Sequence, residues 1–323
     1  ELLLSETEKI DIDVIRDDRK LAVDVTRGGG AGNTNTSNRF SAHEYQVPLY
    51  WEEAPITASM LNKRLPGFDP FQPVDRVQAL AYHAAKIQAK QALKIRRAME
   101  YQAAQAFLTG KITLINSDTL DFFKKATHHV TPGTKWAPTA GDPIADIQAL
   151  ADVVFHDGKM KSDTLIFGAT AFTQFIGNDK VLAYLNTRYV EPGRLAPGDV
   201  VQGAKLWGRL TIGQYVFDIY IYDEFYETTA VPPVAIPYVT TDSVIMLNRA
   251  ARLVKAFGAV EILPQFQDEY RRLGMPMVPE FQPGQIMPFA YEKPPAALMA
   301  GVQSAPVMIP TAIDTFGDLY NVD

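Results

Sequence analysis

Polar residues interleave with β-branched ones from Asp13 to Val25, and from Arg39 to Trp51 polar positions again alternate with apolar or aromatic ones. Side chains on a strand alternate between its faces, so both segments predict strands. Between them runs Thr26-Arg27-Gly28-Gly29-Gly30-Ala31-Gly32-Asn33-Thr34-Asn35-Thr36-Ser37-Asn38, with few groups able to anchor in a core and much backbone freedom. This reads as the tip of a long, projecting hairpin. A glycine-rich loop that cradles phosphate needs a strand before it, a helix opening after it and usually a Lys-Ser/Thr partner, none of which follows here.

From Val74 to Thr109 the chain has neither Pro nor Gly and is rich in Ala, Gln, Lys and Arg, which predicts one long helix closed by Gly110. At 1.5 Å per residue it would reach on the order of 50 Å. Val77, Leu80, Ala84 and Ile87, then Ile95, Met99, Ala103 and Phe107, recur at helical spacing and predict the buried stripe. Lys86, Lys90, Lys94, Arg96 and Arg97 make its middle cationic, with no acidic residue between Asp75 and Glu100. The plain reading is a solvated face; the sharper one is contact with an anionic partner, packaged nucleic acid or an acidic neighbour.

Beyond the helix, Lys111–Asp121 and Thr127–Pro138 predict a strand and a loop, and Asp142–Phe155 a second amphipathic helix opened by Asp-Pro. Thr164–Gly168 reads as a compact buried strand, Ala171–Phe175 and Asp179–Leu185 as an interrupted helix, and Leu206–Tyr226 as strands dense in β-branched and aromatic residues. Proline then divides the final third into short strands and turns, and no period marks a solenoid.

Composition changes this picture mainly by exclusion. With 47% hydrophobic and 21% charged residues over 323 positions, the chain can bury a sizeable core and is far from disorder. It has no cysteine, which removes disulfides, thiolate catalysis and cysteine-bound metal together. A net charge of −6 gives no overall pull toward nucleic acid or an anionic membrane. There is no apolar run of about 18 residues to span a bilayer. The opening Glu1-Leu2-Leu3-Leu4-Ser5 lacks the basic flank of a secretory signal.

Candidate chemistry is sparse. The histidines stand at 43, 83, 128, 129 and 156, and only His128-His129 cluster. Neighbours on a strand point apart, so the pair does not converge on a metal and a surface loop is expected. No nucleophile elbow, Walker loop, dinucleotide fingerprint or zinc-protease helix is present. Asp223, Glu224 and Glu227 are the one acidic cluster in which a hydrolase could keep an acid and a base, and they read as a solvated turn after a strand.

The order of these parts resembles the lambda-type major capsid proteins of tailed phages, which have the Hong Kong 97 fold. Val23-Asp24-Val25-Thr26-Arg27-Gly28-Gly29-Gly30 and the return His43-Glu44-Tyr45-Gln46-Val47 look like that family's extended loop, and the basic helix ending in Leu108-Thr109-Gly110-Lys111 like its spine helix. Gly301-Val302-Gln303-Ser304-Ala305-Pro306-Val307-Met308-Ile309-Pro310 looks like its closing strand, and Tyr215–Tyr222 and Asp242–Leu247 fall in the matching order before it.

The resemblance implies an α+β fold with an extended β-hairpin loop, a long spine helix, and peripheral and axial domains. The implied divisions are an N-terminal arm over 1–12, the hairpin loop over 13–57 and a peripheral domain with the spine helix over 58–141. An axial domain follows over 142–240, with remaining axial and C-terminal peripheral strands over 241–323. It further implies hexamers and pentamers tiling an icosahedral shell around double-stranded DNA, assembled in the host cytoplasm and built without catalysis, cofactor, metal or membrane. Scaffold, portal and a decoration protein are the implied partners. Arg27, Gly28, Gly29, Gly30, Gly32 and Asn33 would then contact a neighbouring subunit, and Lys86, Lys90, Lys94, Arg96 and Arg97 would face packaged DNA. A phage tail or adaptor protein, and a hydrolase using Asp223, Glu224 and Glu227, are the alternatives.

Overall fold

A computed structural model describes residues 2–5, 9–15, 40–63, 75–114, 119–186, 200–201, 203–228, 230–249, 253–262, 280–293 and 297–323. The long helix is one unbroken rod, Arg76–Leu108. Asp75 caps its start, its carboxylate accepting from the amides of Val77 at 2.9 Å and Gln78 at 3.4 Å. Gly110 turns the chain away at φ +69, where an added Cβ would lie 2.3 Å from Cβ of Lys124. Glycine is therefore required on both conformational and steric grounds.

The helix lies on the C-terminal strands. Ala297–Ser304 is the centre of an antiparallel three-stranded sheet between Met287–Lys293 and Tyr50–Thr57. Pro306–Pro310 joins a different sheet, antiparallel to Leu253–Phe257, which in turn pairs in parallel with Leu2–Leu4. The expected single closing strand over 301–310 is thus two strands. The break falls at Ala305, which Pro306 follows and whose carbonyl accepts from the Gly258 amide at 2.8 Å; proline supplies no amide to continue the first ladder.

The buried side of the helix also differs from the expected stripe. Val77 is 77% exposed, whereas Gln91, Ile95, Gln102 and Ala106 are buried. Two of these are glutamines: Gln91 donates to the Ala300 carbonyl at 3.4 Å, and Gln102 to the Pro306 carbonyl at 3.2 Å and the Tyr50 hydroxyl at 2.8 Å. Val77 shares its azimuth with the buried Ile95 but stands in the helix's first turn, and a hydrophobicity pattern that counts glutamine as outward-facing misses Gln91 and Gln102 on that same side.

The middle of the chain builds a mixed seven-stranded sheet. Its order is His129–Val130, Gly317–Leu319, Val244–Leu247, Thr164–Phe167, Tyr215–Tyr222, Ala204–Ile212, Val200–Val201. Helices Pro143–Gly158, Ala169–Gly177 and Asp179–Asn186 supply Ile147, Leu150, Val154, Phe175 and Val181 to a core with Leu165, Phe167, Phe217 and Ile219 of the sheet. Asp142 caps the first of these helices through the Ala145 amide at 3.1 Å, with Pro143 as its first residue, as the Asp-Pro signal predicts. The sheet takes its edge strand from 129–130 and a further strand from 317–319, so the chain's end is woven into it.

The predicted N-terminal hairpin is present at its base: Lys9–Ile15 pairs antiparallel with Phe40–Gln46, from Lys9 opposite Gln46 to Ile15 opposite Phe40. Its first strand begins before Asp13.

Candidate assembly surfaces

The candidate loop residues Arg27, Gly28, Gly29, Gly30, Gly32 and Asn33 lie outside the described residues. The five helix cations do not. Lys86, Lys90, Lys94, Arg96 and Arg97 are all exposed. Lys86, Lys90, Lys94 and Arg97 fall within about a quarter of the helix circumference at 100° per residue, away from the Gln91, Ile95 and Gln102 side. Lys94 pairs with Glu52 at 2.6 Å, and the Lys86 ammonium stands 5.8 Å over the Tyr82 ring. No carboxylate among the described residues forms an ion pair with Lys86, Lys90, Arg96 or Arg97. Leu93 is 50% exposed among these cations.

The acidic cluster sits on a second hairpin, Phe225–Glu227 paired antiparallel with Ala235–Pro237. Asp223, Glu224 and Glu227 are all exposed. The tip beyond them is apolar and bare, with Val231 97% and Val234 54% exposed. The hairpin's base rests on the spine helix through aromatic groups. Tyr226 lies 5.1 Å from the Tyr101 ring and 5.4 Å from that of Tyr238, and the Tyr222 hydroxyl donates to Glu100. Burial, reinforced by the Glu100 carboxylate, pushes the Tyr222 hydroxyl well above the ordinary tyrosine range. Of the three acids expected in one solvated turn, Asp223 and Glu224 lie in the connection between two strands and Glu227 lies on a strand, and no cluster able to hold a metal occurs among the described residues. None of these three acids is buried, so none has the desolvated setting that raises a general acid's pKa in glycoside hydrolysis.

A third feature was not anticipated. Lys124 and Asp318 form an ion pair whose side chains are 2% and 0% exposed. The same ammonium donates to the carbonyls of Phe107 at 2.7 Å and Leu108 at 3.0 Å, two of the open acceptors at the spine helix's C-terminus. The second Asp318 oxygen is 2.7 Å from Nδ1 of His129, whose ring stacks on Tyr320 at 4.0 Å. Burial outweighs the attraction of Asp318 and pulls the Lys124 ammonium below the ordinary lysine range. The expected surface loop at His128-His129 is corrected: His128 is fully buried, bonded to the Phe316 carbonyl at 3.0 Å and to Asp157 at 3.0 Å. The two rings do diverge, as adjacent residues must: His128 enters a buried polar network, whereas His129, 35% exposed, reaches Asp318 and Tyr320.

On its outer side the C-terminal sheet carries Trp51, Phe289 and Tyr291, with ring centroids 4.7 and 6.2 Å apart. Glu53 accepts from both Trp51 Nε1 at 3.1 Å and the Tyr291 hydroxyl at 2.9 Å.

A family model described as phage major capsid protein E matches residues 5–316. Among solved structures, a protein of Escherichia coli CFT073 assigned as a prophage capsid protein aligns at 17% identity with a TM-score of 0.62, covering 86% of this chain and 79% of that one. A phage-related protein of Bordetella bronchiseptica RB50 aligns at 12% identity and TM-score 0.45, covering 86% and 77%. An encapsulin complex of Synechococcus elongatus PCC 7942 aligns at 11% identity and TM-score 0.49, covering 100% and 85%. No curated protein matches the sequence.

Proposed function

The chain belongs to the phage major capsid protein E family, a shell-forming subunit of the Hong Kong 97 fold, and on that premise we propose how it builds its shell. Subunits associate as hexamers and pentamers and close into an icosahedral head around double-stranded DNA. Scaffold, portal and a decoration protein act on that lattice, which assembles in the host cytoplasm and needs no catalysis. The observation that carries this reading is the family match across 5–316, nearly the whole chain.

The physical features support it. The sequence from Arg27 to Asn38, with Gly28, Gly29, Gly30, Gly32 and Asn33, offers nothing to a core of its own, so ordering it requires a neighbour. We assign it to an inter-subunit contact. A loop of one subunit resting on the next is a head-to-tail contact, which repeats around a ring, and many weak contacts then add to a strong lattice. The divisions at 12, 57, 141 and 240 belong to this reading as the arm, loop, peripheral and axial parts. The cationic helix face is where the shell meets an anionic partner.

The test is assembly. Concentrated chain, with scaffold if required, is expected to form rings or closed shells above a sharp concentration threshold in sedimentation and electron microscopy. Deleting Gly28–Ser37 should suppress shells and leave the subunit's melting unchanged. A wild-type chain that stays monomeric with scaffold present refutes the reading.

A further inference from the structure

We propose that the outward face of the spine helix between Tyr82 and Arg97 is the seat for the acidic hairpin, residues 223–237, of a neighbouring copy. The inference rests on the shell reading and names one of its contacts.

The helix face is mixed in character. Lys86, Lys90, Arg96 and Arg97 surround Leu93 at 50% exposure, with Tyr82 at 39% beside them. A surface made for nucleic acid contacts phosphates with cations and polar donors, and gains nothing from leucine at its centre. Apolar groups ringed by charge are instead the pattern of a protein interface.

The hairpin is complementary in both respects. Phe225 is 56%, Val231 97%, Val234 54% and Ile236 37% exposed. Asp223 and Glu224 stand at its base and Glu227 at the tip end of its first strand, and the sequence has no Lys or Arg from 210 to 248. That charge excludes nucleic acid and disfavours an anionic membrane as the occupant.

The molecule already shows this pairing at its edge. Within one subunit the hairpin's base covers the helix around Tyr101, and Arg97 moderates the upward pull on the Tyr238 hydroxyl there. The strip from Tyr82 to Leu93 continues the same side of the helix uncovered. Hairpin and helix face are different surfaces, so the contact between copies is heterologous and propagates around a ring.

Charge exchange tests it. Lys86→Glu with Lys90→Glu, and separately Asp223→Lys with Glu227→Lys, are each expected to lower the yield of sedimenting particles by roughly tenfold or more, because a repulsion repeats at every contact. The four changes together are expected to recover particles. Far-UV circular dichroism checks that each variant folds. Because the chain has no cysteine, Val231→Cys gives an independent readout: maleimide should label it at least roughly tenfold more slowly in particles than in dissociated subunits, as burial there requires. Absence of rescue, or equal labelling in both states, overturns the proposal while wild-type particles keep the shell reading intact. Lys86→Glu/Lys90→Glu particles that form normally but retain less DNA make nucleic acid the occupant and overturn it too. A wild type that forms no particles overturns both.

Discussion

Replacing Lys124 by Met perturbs the joint between the spine helix and the seven-stranded sheet without changing side-chain length much. The substitution removes the buried ammonium paired with Asp318 and strips the donors from the Phe107 and Leu108 carbonyls. Breaking a buried ion pair from one side costs about 3–5 kcal/mol, since the remaining charge is left in a poor solvent. With about 2.1 cal/mol/K per residue, the unfolding entropy of 323 residues is about 0.7 kcal/mol/K, so a loss of about 4 kcal/mol lowers Tm by about 6 °C. Removing both charges in Lys124→Met/Asp318→Leu should cost less than Lys124→Met alone, because no uncompensated carboxylate remains. The downward pull of burial on Lys124 points the same way: desolvation of this pair is not fully offset by attraction. Urea denaturation of dissociated subunits measures both variants. A Lys124→Met cost below about 1 kcal/mol, or a double variant as costly as the sum of the singles, refutes the reasoning.

Two further outcomes follow from other parts of the molecule. Hydrogen bonding from Lys125, then from His128, holds the Asp157 carboxyl below the usual carboxylate range, and Arg209 does the same for Asp218. Depressed folded pKa values give stability that is present above the unfolded value near 3.9 and lost as pH falls through the lower folded values, so Asp157→Asn and Asp218→Asn should flatten the acid limb of a stability–pH curve; an unchanged slope counts against it. Gly301→Ala should destabilise by about 1–3 kcal/mol by overpacking, because its Cβ would lie 2.4 Å from Cζ of Phe289 and 2.5 Å from the Glu52 carbonyl oxygen. A chemical melt within about 0.5 kcal/mol of wild type would show that the strands separate freely there.

The regular elements were legible where local chemistry alone decides them. The spine helix has an Asp cap, no internal breaker and a glycine stop, and its observed ends fall within two residues of the expected ones. The Asp142-Pro143 start and the strands around Thr164 and Tyr215 are of the same kind. What failed depended on partners far along the chain. Gln91 and Gln102 are core residues only because carbonyls more than 200 positions away receive their amides. Lys124 and Asp318, 194 positions apart, carry no local sign that they meet. His128 looked like half of an idle surface pair because the carbonyl and carboxylate that bury it belong to Phe316 and Asp157.

These same distant pairings separate what holds the subunit's shape from what meets its neighbours. The helix is fixed at its C-terminal end by Lys124, along one side by Gln91 and Gln102, and by Ile245 and Val239 packed near Leu108. Each constraint is buried, so its strength is little affected by salt. The outward-facing groups are of the opposite kind: solvent-exposed cations on the helix, exposed carboxylates on the hairpin, and rings on the outer sheet face. Charges exposed to water interact weakly in pairs and are screened, which makes a contact between copies reversible one at a time and strong only when many close together. A shell that must correct misplaced subunits before closing needs this division, with rigid buried joints inside the subunit and soft, salt-sensitive contacts between subunits. It follows that salt should shift the concentration threshold for assembly while leaving subunit unfolding nearly unchanged.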